Sequence, residues 1–168
     1  PNKTVIVSLS DEKYFELLLE LIDSINNFDQ SKKVDICILD AGMNDGQINT
    51  LRQKVKQIKK AEWDIDVPGY KVRNKEWLKS QVSRAFLPNY FPDYENYIWI
   101  DSDAWVNDWH AIDLLTKGCK MKELAITQTI APGYRNVGKV NWIFGNIAAV
   151  KTQNFCLLYT SPSPRDTN

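Results

Sequence analysis

The sequence predicts an α/β fold in which a mostly parallel sheet is flanked by helices. Short runs rich in β-branched and aromatic residues alternate with longer segments whose apolar residues recur at helical spacing. Strands and helices that alternate in this way favour parallel pairing through right-handed crossovers. The chain has 168 residues and is 43% hydrophobic, which is enough for one domain with a core of its own.

The first half of the chain predicts two strand–helix pairs. A β-rich run over residues 4–8 predicts the first strand, and the turn that follows leads into a helix over residues 12–27 with an apolar stripe. Residues 34–39 predict the second strand. Asn44 or Asp45 is expected to cap a second helix that ends near residue 58.

The second half predicts a short third strand, a loop with Pro68-Gly69, and a helix that Pro88 closes. A fourth strand then ends in acidic residues, and Asp108 is expected to cap a short helix. The predicted strands of this half cover residues 61–65, 97–100, 124–129 and 147–150, and the predicted helices cover residues 75–87 and 111–115.

The composition of the chain argues against several classes of function. Lys plus Arg number 21 and Asp plus Glu number 21, so charge gives no reason to expect a nucleic-acid partner. The sequence has no apolar run long enough to predict a membrane span. Three cysteines without a pairing pattern predict reduced thiols and a cytoplasmic protein, with peripheral attachment to a membrane left open.

The most informative motif is the end of the fourth strand, Ile98-Trp99-Ile100-Asp101-Ser102-Asp103. Two carboxylates at the end of a buried strand are costly unless a cation or hydrogen-bond donors meet them. Ligands bind beyond the carboxyl ends of strands in open α/β sheets, and this spacing suits a divalent metal shared with a diphosphate. The alternative is a solvated turn.

The turn after the first strand contains neither G-x-G-x-x-G nor G-x-x-x-x-G-K. A dinucleotide site or a P-loop is therefore not expected. Phosphates would have to be bound in another way, and the two acids with a metal provide one.

Three segments together resemble the nucleotide-sugar-binding part of a family-eight glycosyltransferase, over about residues 4–150. They are the opening residues 5–14, the helical run over residues 79–88 with its internal arginine, and residues 99–106 around the acid pair. The resemblance implies a GT-A, Rossmann-like fold. It also implies transfer of a sugar from a UDP-sugar or another nucleotide sugar, with retention of configuration and with Mn²⁺ or Mg²⁺. The acceptor would be a glycan, a lipid or a protein.

The resemblance also assigns roles to residues by position. Asp101 and Asp103 match the metal motif, and together with Arg84 they are the expected catalytic residues. The residues expected to bind the donor are Leu9, Ser10, Asp11, Tyr14, Lys79, Ser102 and Asn146.

Two residues of the base-binding loop have competing interpretations. Tyr14 offers a flat face for a base, and Asp11 can accept a hydrogen bond from the imide N–H of uracil. Asp11 can equally cap the first helix, and Tyr14 can equally be a core aromatic residue.

The last residues resemble a translated sequencing-library adapter, beginning at Cys156-Leu157-Leu158 and continuing through a Ser/Pro-rich stretch. We therefore expect residues 1–155 to be the nucleotide-sugar-binding part of a domain that is incomplete at its C-terminus. Residues 156–168 would form a disordered tail, and the chain itself would be inactive. Two other functions remain open at this point: a nucleotidyltransferase with the same metal–diphosphate chemistry, and a non-catalytic sugar-binding module.

Overall fold

The computed structural model describes residues 3–122, 124–126 and 155–158. The strands are β1 (Thr4–Ser10), β2 (Asp35–Asp40), β3 (Gln57–Lys60), β4 (Asn96–Ile100), β5 (Leu124–Ile126) and β6 (Phe155–Leu158). They form one sheet in the order β3-β2-β1-β4-β6-β5, and every pair is parallel. The predicted α/β fold with a mostly parallel sheet is confirmed.

The α-helices are α1 (Phe15–Asn26), α2 (Asp45–Leu51), α3 (Gly69–Val72), α4 (Lys79–Ser83), α5 (Leu87–Tyr90) and α6 (Trp109–Lys122). Three 3₁₀ turns occupy Asp29–Lys33, Glu76–Leu78 and Arg84–Phe86. Within the described residues, none of these helices is both long enough and apolar enough to span a bilayer.

The register of the central strands places the loops that matter at one edge of the sheet. Val7 of β1 lies opposite Cys37 of β2 and opposite Trp99 of β4. Because all three strands are parallel, their carboxyl ends meet at the same edge. The segments that follow Ser10, Asp40 and Ile100 therefore lie side by side.

The sheet buries two clusters, one on each face, as the alternation of side chains along a strand requires. On the first, which we call the helix face, sheet isoleucines pack against α1 and α6. Its members include Ile6, Ile38, Ile98, Leu18, Ile22 and Ile112. On the second, which we call the aromatic face, the sheet packs against residues of the segment that contains α5. Its members include Val7, Leu39, Tyr97, Trp99, Leu87, Tyr90 and Phe91.

Local chemistry sets the starts of the first two helices. The Asp11 carboxylate accepts a hydrogen bond from the Tyr14 backbone N–H at 3.0 Å, just before α1. At α2, the Asn44 side chain accepts from the Gln47 backbone N–H at 3.0 Å, and the Gln47 side chain accepts from the Asn44 N–H at 3.1 Å. This capping box confirms Asn44 as the cap of α2.

The prediction for the third strand is wrong by four residues. The strand occupies Gln57–Lys60, and not residues 61–65, while α2 ends at Leu51 and not at residue 58. The Lys56 N–H donates to the Ile36 carbonyl at 2.8 Å, and the Ala61 N–H donates to the Asp40 carbonyl at 2.8 Å, so the ladder with β2 begins earlier. An edge strand needs few apolar residues and carries lysines in many proteins, so this strand has no apolar run that would indicate it in the sequence.

The predicted helix over residues 75–87 is broken into short pieces. A 3₁₀ turn at Glu76–Leu78 precedes α4, and a second at Arg84–Phe86 separates α4 from α5. Pro88 lies in the first turn of α5 and does not close a helix, because a proline has no need of an N–H partner there.

The last elements also differ from the prediction. The helix α6 is longer than the predicted 111–115, while Asp108 accepts from the His110 N–H at 2.9 Å as a cap would. The strand β5 covers the first three residues of the predicted 124–129. Residues 147–150 lie outside the described residues, and residues 156–158, which the sequence assigned to the tail, lie in β6 beside β4.

The cysteines divide into two cases. Cys37 is a free and buried thiol, as predicted. Cys119, which is buried on α6, forms a disulfide. The prediction of reduced thiols is therefore wrong for Cys119, since spacing along a sequence does not reveal which sulfurs a fold brings together.

Candidate nucleotide and metal site

An arginine–aspartate pair lies at the carboxyl end of β4. The Arg84 Nη2 atom donates to Asp101 Oδ1 at 2.7 Å, and the two side chains are 10% and 24% exposed. Arg84 lies between α4 and α5, in the segment of short helices that packs on the aromatic face, which we call the aromatic-face segment. It precedes Asp101 by 17 residues in the sequence. The structure thus brings together two of the three residues that the sequence predicts to be catalytic.

Trp99 supports both members of this pair. Its indole Nε1–H donates to the same Asp101 Oδ1 atom at 2.7 Å. The Arg84 guanidinium carbon lies 5.0 Å from the centroid of the Trp99 ring, within the range of a cation–π contact. One carboxylate oxygen therefore receives two donors, which fixes the Asp101 rotamer and offsets the cost of burying its charge.

Lys79 lies on the same segment in a similar setting. Its Nζ atom pairs with Glu76 Oε2 at 2.7 Å and lies 5.8 Å from the centroid of the Trp63 ring. The Lys79 side chain is 10% exposed, so it is a largely buried cation with one carboxylate and one aromatic face around it.

The segment that carries Trp63 is anchored through Tyr90. The Tyr90 hydroxyl donates to the Asp64 carboxylate at 2.9 Å and accepts from the Glu62 N–H at 3.0 Å. Burial raises the pKa of Tyr90 to about 12 and also raises the pKa of Asp64. The hydroxyl therefore stays protonated and holds residues 62–64 against the aromatic face.

The turn after β4 presents the remaining acid to solvent. The Ala104 N–H donates to the Asp101 carbonyl at 3.1 Å, which closes a turn with Ser102 partly exposed and Asp103 exposed. The described residues contain no group of three or more His, Cys, Asp and Glu side chains that could hold a metal. Two carboxylates nevertheless fit Mg²⁺, which is commonly bound through one or two carboxylates together with waters and phosphates.

The predicted base-binding loop follows β1. Leu9 and Ser10 are buried, and the Ser10 hydroxyl donates to the Asp11 carbonyl at 2.9 Å. Asp11 accepts from the Tyr14 N–H in the turn that leads into α1, but the residue at the N-cap position of α1 is Tyr14 and not Asp11. The contact of Asp11 with a base stays a prediction. Tyr14 is half-buried, and Lys13 Nζ lies 5.9 Å from its ring centroid.

Two side-chain hydrogen bonds join this loop to the start of α2. The Asn44 side-chain amide donates to the Glu12 carboxylate at 3.2 Å, and the Gln47 side-chain amide donates to the Glu12 carbonyl at 3.1 Å. The two residues that form the capping box therefore also hold the loop after β1.

An open cleft of about 500 Å³ lies beside the loop. Its walls are formed by Asp11, Glu12, Lys13, Ala41, Gly42, Asn74, Glu76 and Trp77. The cleft thus runs from the carboxyl ends of β1 and β2 to the segment that leads into α4. Asn146, the remaining predicted donor-binding residue, lies outside the described residues.

Sequence reasoning missed Trp99, Trp63 and Trp77. Trp99 was assigned to a buried strand, and it is indeed buried, but its N–H points to the first acid of the motif. The available signal was the spacing, because residues i and i+2 of a strand share a face. No comparable signal in the sequence connected Trp63 with Lys79, since that contact depends on how two loops pack.

Comparison with known proteins assigns the family. Residues 5–126 match the family described as "Glycosyl transferase family 8", a match that covers well over half of the chain. The protein therefore belongs to glycosyl transferase family 8, and the expected likeness is confirmed. No curated protein matches the chain.

Two solved structures show a partial similarity to this chain. One is an active-site mutant of LgtC, which is 17% identical with a TM-score of 0.47, and the match covers 64% of this chain and 41% of LgtC. The other is TarS of S. aureus, which is 14% identical with a TM-score of 0.46, and the match covers 76% of this chain and 36% of TarS. The chain therefore spans about two fifths of the length of these proteins.

Proposed function

We propose that the protein transfers a sugar from a nucleotide diphosphate sugar to an acceptor, and that the donor is a UDP-sugar. The observation that carries this proposal is the Arg84–Asp101 pair at the carboxyl end of β4, within the region that defines the family. A buried strand that ends in an anchored acid followed by an exposed acid suits a diphosphate site better than a structural turn. The acceptor would be a glycan, a lipid or a protein.

Asp101 and Asp103 would hold Mn²⁺ or Mg²⁺. The metal, when bound, neutralises the charge that develops on the diphosphate as its bond to the sugar breaks. Asp101 Oδ1 accepts from Arg84 and Trp99, so Oδ2 is the oxygen that would bind the metal. Asp103 is exposed, so its carboxylate is accessible to a metal.

The two cations of the aromatic-face segment would act on the diphosphate and the donor sugar. Arg84 lies against Asp101, and its guanidinium would donate charge-assisted hydrogen bonds to a phosphate oxygen. Lys79 adds a second cation nearby on the segment. Preorganised cations of this kind lower the barrier because they need no rearrangement as the charge develops. Ser102 and Asn146 are proposed to contact the donor, and Leu9, Ser10, Asp11 and Tyr14 to form the loop beside its nucleotide.

Calorimetric titration with UDP, with and without Mn²⁺, tests the proposal. We expect Mn²⁺ to strengthen binding by the wild type, and Asp103→Ala to abolish this enhancement while the melting temperature is kept. Asp113→Ala, which removes an exposed acid from α6, is the matched control and should behave as the wild type. Equal Mn²⁺ enhancement in wild type and Asp103→Ala would refute the metal assignment.

A further inference from the structure

A hollow of about 260 Å³ lies between the end of α2 and the outer strand β3. The half-buried part of its lining is largely apolar and includes Ile48, Val55 and Ile58. All three pack against the cluster of the helix face. The hollow therefore has an apolar floor at the edge of the sheet, where no further strand follows β3 among the described residues.

The segment that forms most of this hollow concentrates positive charge. Residues 46–61 contain one arginine and four lysines but no aspartate or glutamate, although acidic and basic residues balance over the whole chain. Arg52, Lys56 and Lys60 line the hollow, and all three are exposed. Because side chains alternate along a strand, Lys56 and Lys60 lie on the same face as Ile58. Exposed cations thus flank the apolar floor.

These three cations form no ion pair with a carboxylate within the part of the chain that the structure describes. The Arg52 Nη1 atom donates to the side-chain oxygen of Asn49 at 3.0 Å, which is a neutral partner. By contrast, Lys54 of the same segment, which does not line the hollow, pairs with Asp23 at 2.7 Å. The cations that line the hollow are therefore accessible to an anion.

One acid and one further lysine also line the hollow. The Oδ1 atom of Asp40 accepts from the backbone N–H groups of Gly42 and Met43 at 2.8 and 2.7 Å, so two donors already offset its charge. The Lys59 Nζ atom lies 5.6 Å from the centroid of the Phe91 ring, which belongs to the aromatic face. The lining as a whole therefore keeps a positive balance.

We propose that the hollow binds a phosphate monoester with a short apolar body. Arg52, Lys56 and Lys60 would donate charge-assisted hydrogen bonds to the phosphate group. The apolar body would cover Ile58 and its neighbours and so be removed from water. The volume of the hollow is below the range of about 300–1,000 Å³ that is usual for small-molecule sites, so the ligand would be small.

Protection of the sheet edge does not explain this arrangement. Lysines on an edge strand discourage pairing with other chains, but that role needs neither Arg52, which follows α2, nor an apolar hollow. The hollow is also separate from the Arg84–Asp101 pair. The strand β3 lies three strands from β4, which is about 14 Å at the usual strand spacing, so the proposal does not depend on the proposed function.

Calorimetry on the 168-residue chain without Mn²⁺ tests the proposal, with butyl phosphate, inorganic phosphate and butanol as probes. We expect butyl phosphate to bind saturably and about tenfold more tightly than inorganic phosphate, because its body is removed from water. Butanol, which lacks the charge, should show no saturable binding. The methyl NMR signals of Ile48, Val55 and Ile58 should shift with butyl phosphate over the same range of concentration.

The double variant Lys56→Gln/Lys60→Gln removes two of the three cations. We expect it to weaken the binding of butyl phosphate by about tenfold or more. The matched control is Lys32→Gln/Lys33→Gln, which makes the same change of charge at two exposed lysines before β2 and should bind like the wild type. All four lysines are exposed, so both variants should keep the melting temperature of the wild type.

Several results would overturn the proposal. Equal affinity of the wild type and Lys56→Gln/Lys60→Gln for butyl phosphate would remove these lysines from a site. Equal affinity of the wild type for butyl phosphate and inorganic phosphate would leave only a general attraction of anions to a lysine-protected edge. Binding to vesicles that contain phosphatidic acid, without saturable binding of butyl phosphate, would make this surface a membrane contact. Absence of any binding, or an equal loss in the control variant, would also contradict the proposal.

Discussion

The two faces of the sheet differ in what they bury. The helix face is covered by α1 and α6, and its cluster is mainly aliphatic, with sheet isoleucines against leucines and isoleucines of the helices. The aromatic face is covered by short helical pieces, and its cluster contains Tyr90, Phe91, Tyr97 and Trp99. The largely buried cations Lys79 and Arg84 belong to the segment on that side.

This difference separates stability from function. Aliphatic packing stabilises the fold. Aliphatic side chains carry no polar group that could bind a charged ligand. Aromatic rings can pack in the core and still present a donor or a π-face to a charged group, as Trp99 does for Asp101 and Arg84. We therefore expect changes on the helix face to alter unfolding free energy alone, and changes on the aromatic face to alter ligand binding as well.

The largest effect on stability is expected from Leu18→Ala in the centre of the helix face. Leu18 is completely buried, and a buried Leu→Ala change costs about 2–5 kcal/mol because a cavity remains. Urea unfolding measures this cost, and UDP affinity, measured where the variant is still folded, should match the wild type. A loss of UDP affinity in the folded variant would show that the two faces are coupled.

Arg84→Met tests the aromatic face at its centre. The change keeps an unbranched apolar stem but removes the guanidinium and leaves Asp101 Oδ1 with one donor, so we expect a stability loss of about 1–3 kcal/mol. In contrast to Leu18→Ala, it should also weaken UDP binding with Mn²⁺ present by roughly tenfold, equivalent to about 1.4 kcal/mol. Arg52→Met, at an exposed arginine after α2, is the control. Unchanged UDP affinity in Arg84→Met would remove Arg84 from the donor site.

The same contrast explains what could be predicted from the sequence. The spacing of Phe15, Leu18 and Ile22 indicates a long helix that only has to pack, and α1 begins three residues later and ends one residue earlier than predicted. The segment around Lys79 and Arg84 has a comparable apolar spacing but breaks into short turns. Its backbone is arranged around contacts with Trp63, Trp99 and Asp101, which local periodicity cannot encode. The acid pair was found because a buried strand that ends in two carboxylates is costly whatever surrounds it.

Trp99→Phe should give a smaller effect than Arg84→Met at the same site. Phenylalanine keeps a ring beside the Arg84 guanidinium but cannot donate to Asp101 Oδ1. Loss of one hydrogen bond to a partly exposed carboxylate should cost about 1.5 kcal/mol of stability. Because Asp101 would then be less firmly oriented, we expect the Mn²⁺ enhancement of UDP binding to fall while metal-free binding is kept. A full Mn²⁺ enhancement in Trp99→Phe would mean that Arg84 alone positions the acid.

The smallest expected effect is a fall in stability at alkaline pH, and it arises from a residue of the aromatic face. Burial raises the pKa of the Cys37 thiol from an ordinary value of 9.0 to about 11, so the unfolded chain loses this proton at a lower pH than the folded one. The unfolded state then binds fewer protons, and stability falls as pH rises through this window. Between pH 8 and pH 9.5 the fall from this group should be about 0.8 kcal/mol.

Cys37→Ala isolates this contribution, because the variant lacks the thiol but keeps the tyrosines of the same face. Burial also raises the pKa of Tyr90 to about 12 and raises the pKa of Tyr94, whose hydroxyl donates to Asp35, so both forms should lose stability at higher pH. Urea unfolding at a series of pH values should therefore show that the unfolding free energy falls less steeply with pH in Cys37→Ala than in the wild type between pH 8 and pH 9.5. Below pH 8 the two slopes should be parallel.

Leu18→Ala on the helix face is the control, and it should lower the unfolding free energy at every pH without changing the slope. Equal slopes for wild type and Cys37→Ala would mean that the thiol ionises as readily in the folded protein as in the unfolded chain, and that the packing around it is looser than a fully buried side chain implies.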